Sequence, residues 1–374
     1  MHTNKEKYFK FITILLSICF SYIAVFLYFF LNIEKDFVNN FKNKTTLSFY
    51  QKYSPLVNHL RYRDIYRFKT IEQELLFNFI KNESDKRQIL FLGDSWMEQI
   101  NLAEGNKKHL SESFKSFSKI INGGTASYSP SLMHAQYKVL EKDFKIKPDI
   151  LVIYIDQTDM GDELCRYKNL LNINDEDKLM SVKMETFPLY KEVFNLHEKI
   201  SFSDIELKNS KKIVQTQKYI NYKAMKSFFK IKKRLKSEFY KNINYQACHW
   251  PIIEGYKKKI DEEELEHFMA TLSRLFNFLN EKKYIKKIFV VTHPHKSQLE
   301  KNNKLINVSN FVDKTSKNFK RIEHINFSKI LYTDRNFYGD IELIWKKNDV
   351  IHLNDKTFKK FLTKISEVVE KFDK

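Results

Sequence analysis

Five short apolar runs, each closed by turn residues, constrain the fold of this chain more than any other feature. QILFL (88–92) ends at Gly93, and KIIN (119–122) ends at Gly123-Gly124. ILVIYID (150–156) follows Pro148, KKIFVVT (286–292) stops just short of Pro294, and RIEHINF (321–327) is the fifth. Unbroken apolar runs of this length suit strands of a parallel sheet covered on both faces. Helical patterns lie between and after them, notably SLMHAQYKVLEKDF (131–144), EEELEHFMATLSRLFNFLNEKK (262–283) and KTFKKFLTKISEVVEKF (356–372). The alternation predicts a doubly wound α/β domain. The gap between the third and fourth runs is far longer than a crossover helix requires, so residues 166–250 read as a helical insertion. At its centre, TQKYINYKAMKSFFKIKKRLKSEF (216–239) sets Met225, Phe228, Leu235 and Phe239 on one helical face. Such a helix can lie on anionic lipid; packing of the stripe on its own domain, with lysines facing water, is the preferred reading.

Ahead of this domain stands FITILLSICFSYIAVFLYFFL (11–31), with no charge, Pro or Gly. At ~1.5 Å per residue a helix of this length reaches about 32 Å, enough to cross a bilayer core. It exceeds the apolar stretch of a cleaved signal peptide, and NIEKDF after it offers no small-residue cleavage site. The expectation is an uncleaved signal anchor, with a buried core helix as the alternative. Lys5, Lys7 and Lys10 precede the span, while Glu34, Lys35 and Asp36 nearly cancel after it. The positive-inside rule then predicts a cytoplasmic tail (1–10), a transmembrane helix (11–31), a stem (32–85) and an extracytoplasmic domain (86–374). Within the stem, IEQELLFNFI (71–80) reads as a short amphipathic helix.

Composition narrows the classes. A 43% hydrophobic and 15% aromatic content excludes a mainly disordered chain. Three Cys cannot form a disulfide framework or a four-cysteine zinc site. The net charge is +19, but only nine of the 65 basic residues are Arg. Nucleic-acid readers rely on Arg forks, so no nucleic-acid partner is expected.

The chemistry concentrates in two places. In FLGDSWMEQ (91–99) a strand ends in Gly-Asp-Ser and a helix follows. Ser95 therefore falls at the carboxyl end of a strand, where open α/β sheets place their ligands. In NDVIHLND (348–355), Asp349 and His352 stand three apart just before the last helix. That spacing lets the carboxylate reach Nδ1 of the ring while Nε2 faces the serine, as in a Ser-His-Asp triad. After the fourth run, His293 and His295 flank Pro294. They are candidates for substrate contact; a metal site would need a third ligand, and none stands at a suitable spacing. Cys165 and Cys248 bracket the insertion, and outside the cytoplasm a disulfide between them is permitted; two free thiols are the alternative.

In these residues the chain resembles the GDSL/SGNH hydrolase family over 86–165 and about 286–372. GDSW matches the family's first block, with Ser95 at the nucleophile and Trp96 in place of the usual Leu. DVIHLN matches the last, with Asp349 as the acid and His352 as the base. In the second block the family has Asn and, five residues on, a Gly whose amide helps form the oxyanion hole; INGGTASYSPS supplies Asn122 and puts Ser127 at that Gly, with Gly124 a less favoured donor by register. In the third block the family has Asn then Asp; YIDQTDMGDE supplies Thr158 and Asp159, so a hydroxyl replaces the amide that donates to the oxyanion. The resemblance implies a flavodoxin-like three-layer α/β/α fold with a five-stranded parallel sheet in the order 2-1-3-4-5. It also implies a serine esterase or O-acyltransferase that needs no cofactor, with Asp159 near the substrate. The anchor and the family together suggest O-acetyl groups on an envelope carbohydrate. A non-catalytic member of the scaffold that binds or assembles polysaccharide, and a lipid-facing esterase, are the alternatives.

Overall fold

The computed structural model describes residues 8–9, 11–24, 44–61, 72–82, 87–183, 262–300, 307–334, 336–340, 343–347, 349 and 351–372. The described residues up to Ser48 fall in one compact unit and those from Phe49 onward in another. The first contains a helix over residues 11–24 whose side chains are exposed. No helix among the described residues is long and apolar enough to cross a membrane; residues 25–31 of the apolar run lie outside the described residues, as does the basic stretch 216–239.

The second unit is a mixed α/β body around one mostly parallel sheet. Its strands are β1 (Asn78–Asn82), β2 (Gln88–Leu92), β3 (Lys119–Asn122), β4 (Ile150–Tyr154), β7 (Lys287–Thr292) and β8 (Ile322–Asn326); β5 (Leu171–Ile173) and β6 (Leu179–Val182) form a separate antiparallel pair. The sheet runs β1-β3-β2-β4-β7-β8. The five strands from β3 to β8 are parallel neighbours, in the order 2-1-3-4-5 when numbered along the chain. A sixth strand corrects the expected five. β1 pairs antiparallel with β3, with a register shift between Phe79 and Lys81. It arises from the stretch expected as an amphipathic helix, which instead forms a 3-10 turn (Glu72–Leu75) and then a strand. The free edge of β3 overrides the helical spacing of that short segment. The upstream segment joins the core as well, through Tyr53, Val57 and Leu60.

Both sheet faces are covered, which is why the strands read as unbroken apolar runs. Along β4, Leu151 and Ile153 enter one core while Ile150, Val152 and Tyr154 enter the other. The first core is closed by helices α4 (Pro130–Phe144), α5 (Glu262–Asn280) and α6 (Val308–Ser316). The second is closed by α2 (Ser95–Leu102), α3 (Glu104–Ser113), α7 (Phe327–Thr333) and α8 (Asp355–Phe372). Before these, α1 (Lys44–Val57) leads into the body. On α8 the buried Phe358, Phe361, Leu362, Ile365 and Val369 recur at helical spacing, and each such side chain contributes about 1.5–3 kcal/mol by leaving water.

Candidate active site

Ser95 opens α2 directly after β2. The turn is fixed from the side of Asp94, whose Oδ1 caps the helix by accepting from Trp96 N at 2.9 Å. Helix α2 then lies against Gly124 after β3. A Cβ there would sit 2.4 Å from the Met97 carbonyl carbon and 2.5 Å from Glu98 N, so only glycine lets the two backbones approach this closely. Asn122 ties the same two segments together, donating to Met97 O at 3.0 Å and accepting from Gly124 N at 2.9 Å.

At the other end of the chain a short bridge between Trp345 and Leu353 folds the segment before α8 back on itself. His352 Nε2 lies 2.7 Å from Ser95 Oγ, and Nδ1 lies 2.7 Å from Asp349 Oδ2. Asp349 Oδ1 accepts from the backbone N–H groups of Ile351 (2.8 Å) and His352 (3.0 Å). Partial burial acts to raise this carboxyl, but the bonds from the His352 ring and the two backbone amides outweigh it and hold the group well below the usual carboxylate range. A carboxylate only accepts, so Nδ1 carries the proton, Nε2 is the acceptor and the serine hydroxyl donates to it. That is the arrangement needed to deprotonate a nucleophilic hydroxyl. Trp96, fully buried, packs beneath it, stacked on Tyr154 at 4.8 Å and with its ring 6.4 Å from that of His352.

The remaining candidates fare differently. Ser127 has φ 62°, the left-handed conformation that glycine adopts freely and serine rarely does. Its N–H has no acceptor among the described residues. Gly124, by contrast, has its N–H engaged by Asn122, which removes it as an oxyanion donor. At Thr158 the hydroxyl donates to Asp156 Oδ2, and the N–H does so at 3.2 Å. A hydroxyl has one proton, and here it is engaged by Asp156.

The three residues expected near substrate are instead buried. Asp159 accepts from Asp156 N at 3.0 Å, and His295 Nε2 meets Asp156 Oδ1 at 2.8 Å. His293, with Nδ1 2.6 Å from Pro294 O, sits among Trp96, Phe327, Tyr338, Trp345 and Phe361. All three are at most 1% exposed, so none presents a surface to a ligand. Burial lowers His293 to about 3. Burial and the neighbouring Asp156 charge push Asp94 well up; burial and the charges of Asp94 and Asp156 do the same to Asp159. Asp156 is buried as well, yet the adjacent His295 draws it down to about 2. One of three crowded carboxyls thus keeps the charge, opposite an imidazole. Among the described residues no group of three His, Cys, Asp or Glu side chains is arranged to hold a metal ion. Cys248 lies outside the described residues, and the side chain of Cys165 is likewise not described, so the proposed bridge falls outside the structure.

The sequence missed a set of buried groups that hold the loop after β3. Arg61 Nε donates to Gly124 O and Nη2 to Asn122 O, at 2.8 and 2.7 Å. His59 Nε2 lies 2.9 Å from Ala126 O, and Tyr167 donates to Ser127 O at 2.8 Å. Glu163 accepts from the hydroxyls of Ser129 and Ser131, both at 2.6 Å, and from Ser131 N at 3.2 Å. Local spacing carries no signal for bonds that cross such sequence distances.

No family model matches the sequence, and no curated protein matches it. Several solved structures do resemble the fold. A catalytic mutant of an acetylxylan esterase from Geobacillus stearothermophilus is 13% identical, with TM-score 0.37, over 77% of this chain and 95% of its own. A gut microbial diltiazem-metabolizing enzyme is 9% identical, with TM-score 0.37, over 77% of this chain and 48% of its own. An alpha/beta hydrolase enzyme from the metagenome of Lake Arreo, Spain, is 10% identical, with TM-score 0.35, over 75% of this chain and 93% of its own. Likenesses this distant say nothing about activity.

Proposed function

We propose that this protein is a serine ester hydrolase or O-acyltransferase of the SGNH type, with Ser95 as nucleophile, His352 as general base and Asp349 as the group that orients it. The observation that carries the reading is the unbroken relay from Ser95 Oγ to His352 Nε2 to Asp349, with both contacts at 2.7 Å. Ser95 attacks the ester carbonyl as its proton passes to Nε2; Asp349 stabilises the resulting imidazolium. The N–H groups of Ser95, at the start of α2, and of Ser127 are the donors available to the oxyanion. His352 then returns the proton to the leaving alcohol. Water releases the acyl group, or a sugar hydroxyl accepts it. The finer reading is an O-acetyl group on an envelope carbohydrate, with the chain anchored by residues 11–31 and the catalytic body outside the cytoplasmic membrane. The uncharged run 11–31 with its preceding lysines supports the anchoring.

Hydrolysis of p-nitrophenyl acetate by the purified full chain, with Ser95→Ala beside it, tests the activity. Turnover that vanishes in the variant supports the reading; equal turnover in both removes it. A non-catalytic polysaccharide-binding role is the second reading, favoured by the engagement of the Thr158 hydroxyl with Asp156. A chain that leaves the ester intact but binds the polysaccharide would be of that kind.

A further inference from the structure

The loop that carries Ser127 is held from outside the sheet by side chains whose bonds fall on its carbonyls. His59 Nε2 is 2.9 Å from Ala126 O, and the Tyr167 hydroxyl is 2.8 Å from Ser127 O. These are the two carbonyls that flank the Ser127 Cα. In a trans peptide the C=O and the following N–H point in opposite directions. A bond that pins Ala126 O on one side therefore aims the Ser127 N–H to the other. The grip also has a conformation to maintain, since Ser127 stands at φ 62° without being glycine.

His59 is itself closely determined. It is 1% exposed, and its ring meets Tyr128 edge-on at 4.9 Å and lies parallel to Tyr167 at 6.5 Å. Its Nδ1 faces Asn58 Oδ1 at 3.0 Å, while Asn58 Nδ2 is committed to Lys183 O at 2.6 Å; oxygen acceptors thus face both ring nitrogens, and the grip on the loop requires the N–H at Nε2. Tyr128, next to Ser127, donates its hydroxyl back to His59 O at 2.6 Å. Loop and clamp thus bind each other in both directions.

We propose that His59 and Tyr167 are positioning residues that aim the Ser127 amide at the oxyanion formed on Ser95. This rests on the reading of Ser95 as nucleophile. Neither side chain need touch substrate; both act through the peptide units on either side of Ser127. The consequence is a defect in the chemical step rather than in substrate binding.

The test uses the full-length chain, p-nitrophenyl acetate, and four variants: Ser95→Ala, His59→Phe, His59→Gln and Tyr167→Phe. His59→Phe keeps a ring against Tyr128 and Tyr167 but removes the donor. It is expected to lower kcat by roughly 10–100-fold at unchanged KM, somewhat less than deletion of an oxyanion donor. His59→Gln retains an N–H able to reach Ala126 O and is expected to recover most of kcat. Tyr167→Phe removes one hydroxyl and is expected to lower kcat several-fold; it decides the matter should His59→Phe fail to fold. If Ser95→Ala is inactive while folded His59→Phe and Tyr167→Phe turn over like the parent, the positioning role is overturned and the nucleophile stands. A rise in KM at constant kcat also overturns it. If the parent is inactive, or Ser95→Ala remains active, the nucleophile reading falls and this one with it.

Discussion

The two loops that flank the turn between β2 and α2 are built in opposite ways. The histidine-bearing segment holds itself. Lys346 N donates to His352 O at 2.9 Å, Asp349 N to Lys346 O at 3.0 Å, and Asn354 N to Ile344 O at 2.9 Å. Asn354 Nδ2 reaches Leu343 O across only 11 residues. The loop after β3 is instead held by partners 34 residues away at Glu163, 40 at Tyr167, 63 at Arg61 and 67 at His59. A short closed segment loses little chain entropy on forming and can take shape locally. A loop clamped from afar has its shape only when distant parts of the chain have docked. His352 is thus placed by local chemistry, and the Ser127 loop by topology.

The largest expected effect tests whether the histidine loop is self-sufficient. Asp349→Asn should lower kcat by on the order of 10³–10⁴, with little change in melting temperature, since its Oδ1 contacts to the backbone can survive. A large fall in melting temperature would break the contrast, because it would make the local loop a structural keystone. Next comes Glu163→Ala, which strips the acceptor from two buried serine hydroxyls and one N–H. The loss should be about 3 kcal/mol in urea unfolding. A change under about 0.5 kcal/mol, well below one lost buried bond, would mean the remote contacts hold nothing.

Acid should act through buried histidines, one against each sheet face. His134, stacked on Phe278 at 4.2 Å, and His293, beside Trp96, are both lowered by burial to about 3 from 6.5. Their contribution to stability is whole above 6.5 and is lost as pH falls towards the folded values, because the unfolded chain takes up both protons first. Each adds a slope of about 1.4 kcal/mol per pH unit in that window. His293→Phe should remove one such slope, and unfolding midpoints between pH 6.5 and 4 would show whether it does. The smallest effect is Asn354→Ala. It deletes the acceptor for Thr357 N (3.0 Å) at the start of α8 and should cost about 1 kcal/mol. If kcat collapses as well, the histidine loop depends on that tie more than its other bonds suggest.

The same contrast explains what the sequence revealed. The five parallel strands were legible because burial on both faces leaves unbroken apolar runs. Ser95, Asp349 and His352 were legible because a strand end and a three-residue spacing are local facts. β1 was not, because a ten-residue stretch with mixed spacing takes its state from the free edge beside it. The bond from the Thr158 hydroxyl to Asp156 was hidden as well, since it depends on Asp156 standing two residues earlier with its carboxylate turned inward. His293 and His295 looked like ligands beside a strand end, yet one is enclosed by aromatic rings and the other pairs with Asp156. No spacing rule would have assigned Asn58, His59 or Arg61 to the Ser127 loop.

β1 also decides where this domain can be cut. The sequence places the start of the α/β domain at residue 86, and a fragment could be cut there. Such a fragment would lose the strand that covers β3 and the Arg61 that grips the loop beyond it. β3, with Ile120 and Ile121 at its centre, would then become a bare rim with a row of open amides and carbonyls, the kind of edge on which chains add to one another and precipitate. In the intact protein that rim is displaced outward to a strand broken by an irregularity and carrying a lysine, features that discourage such addition. The practical boundary of the folded unit therefore lies upstream of Tyr53, and Asn78–Asn82 is the sheet's protective selvage.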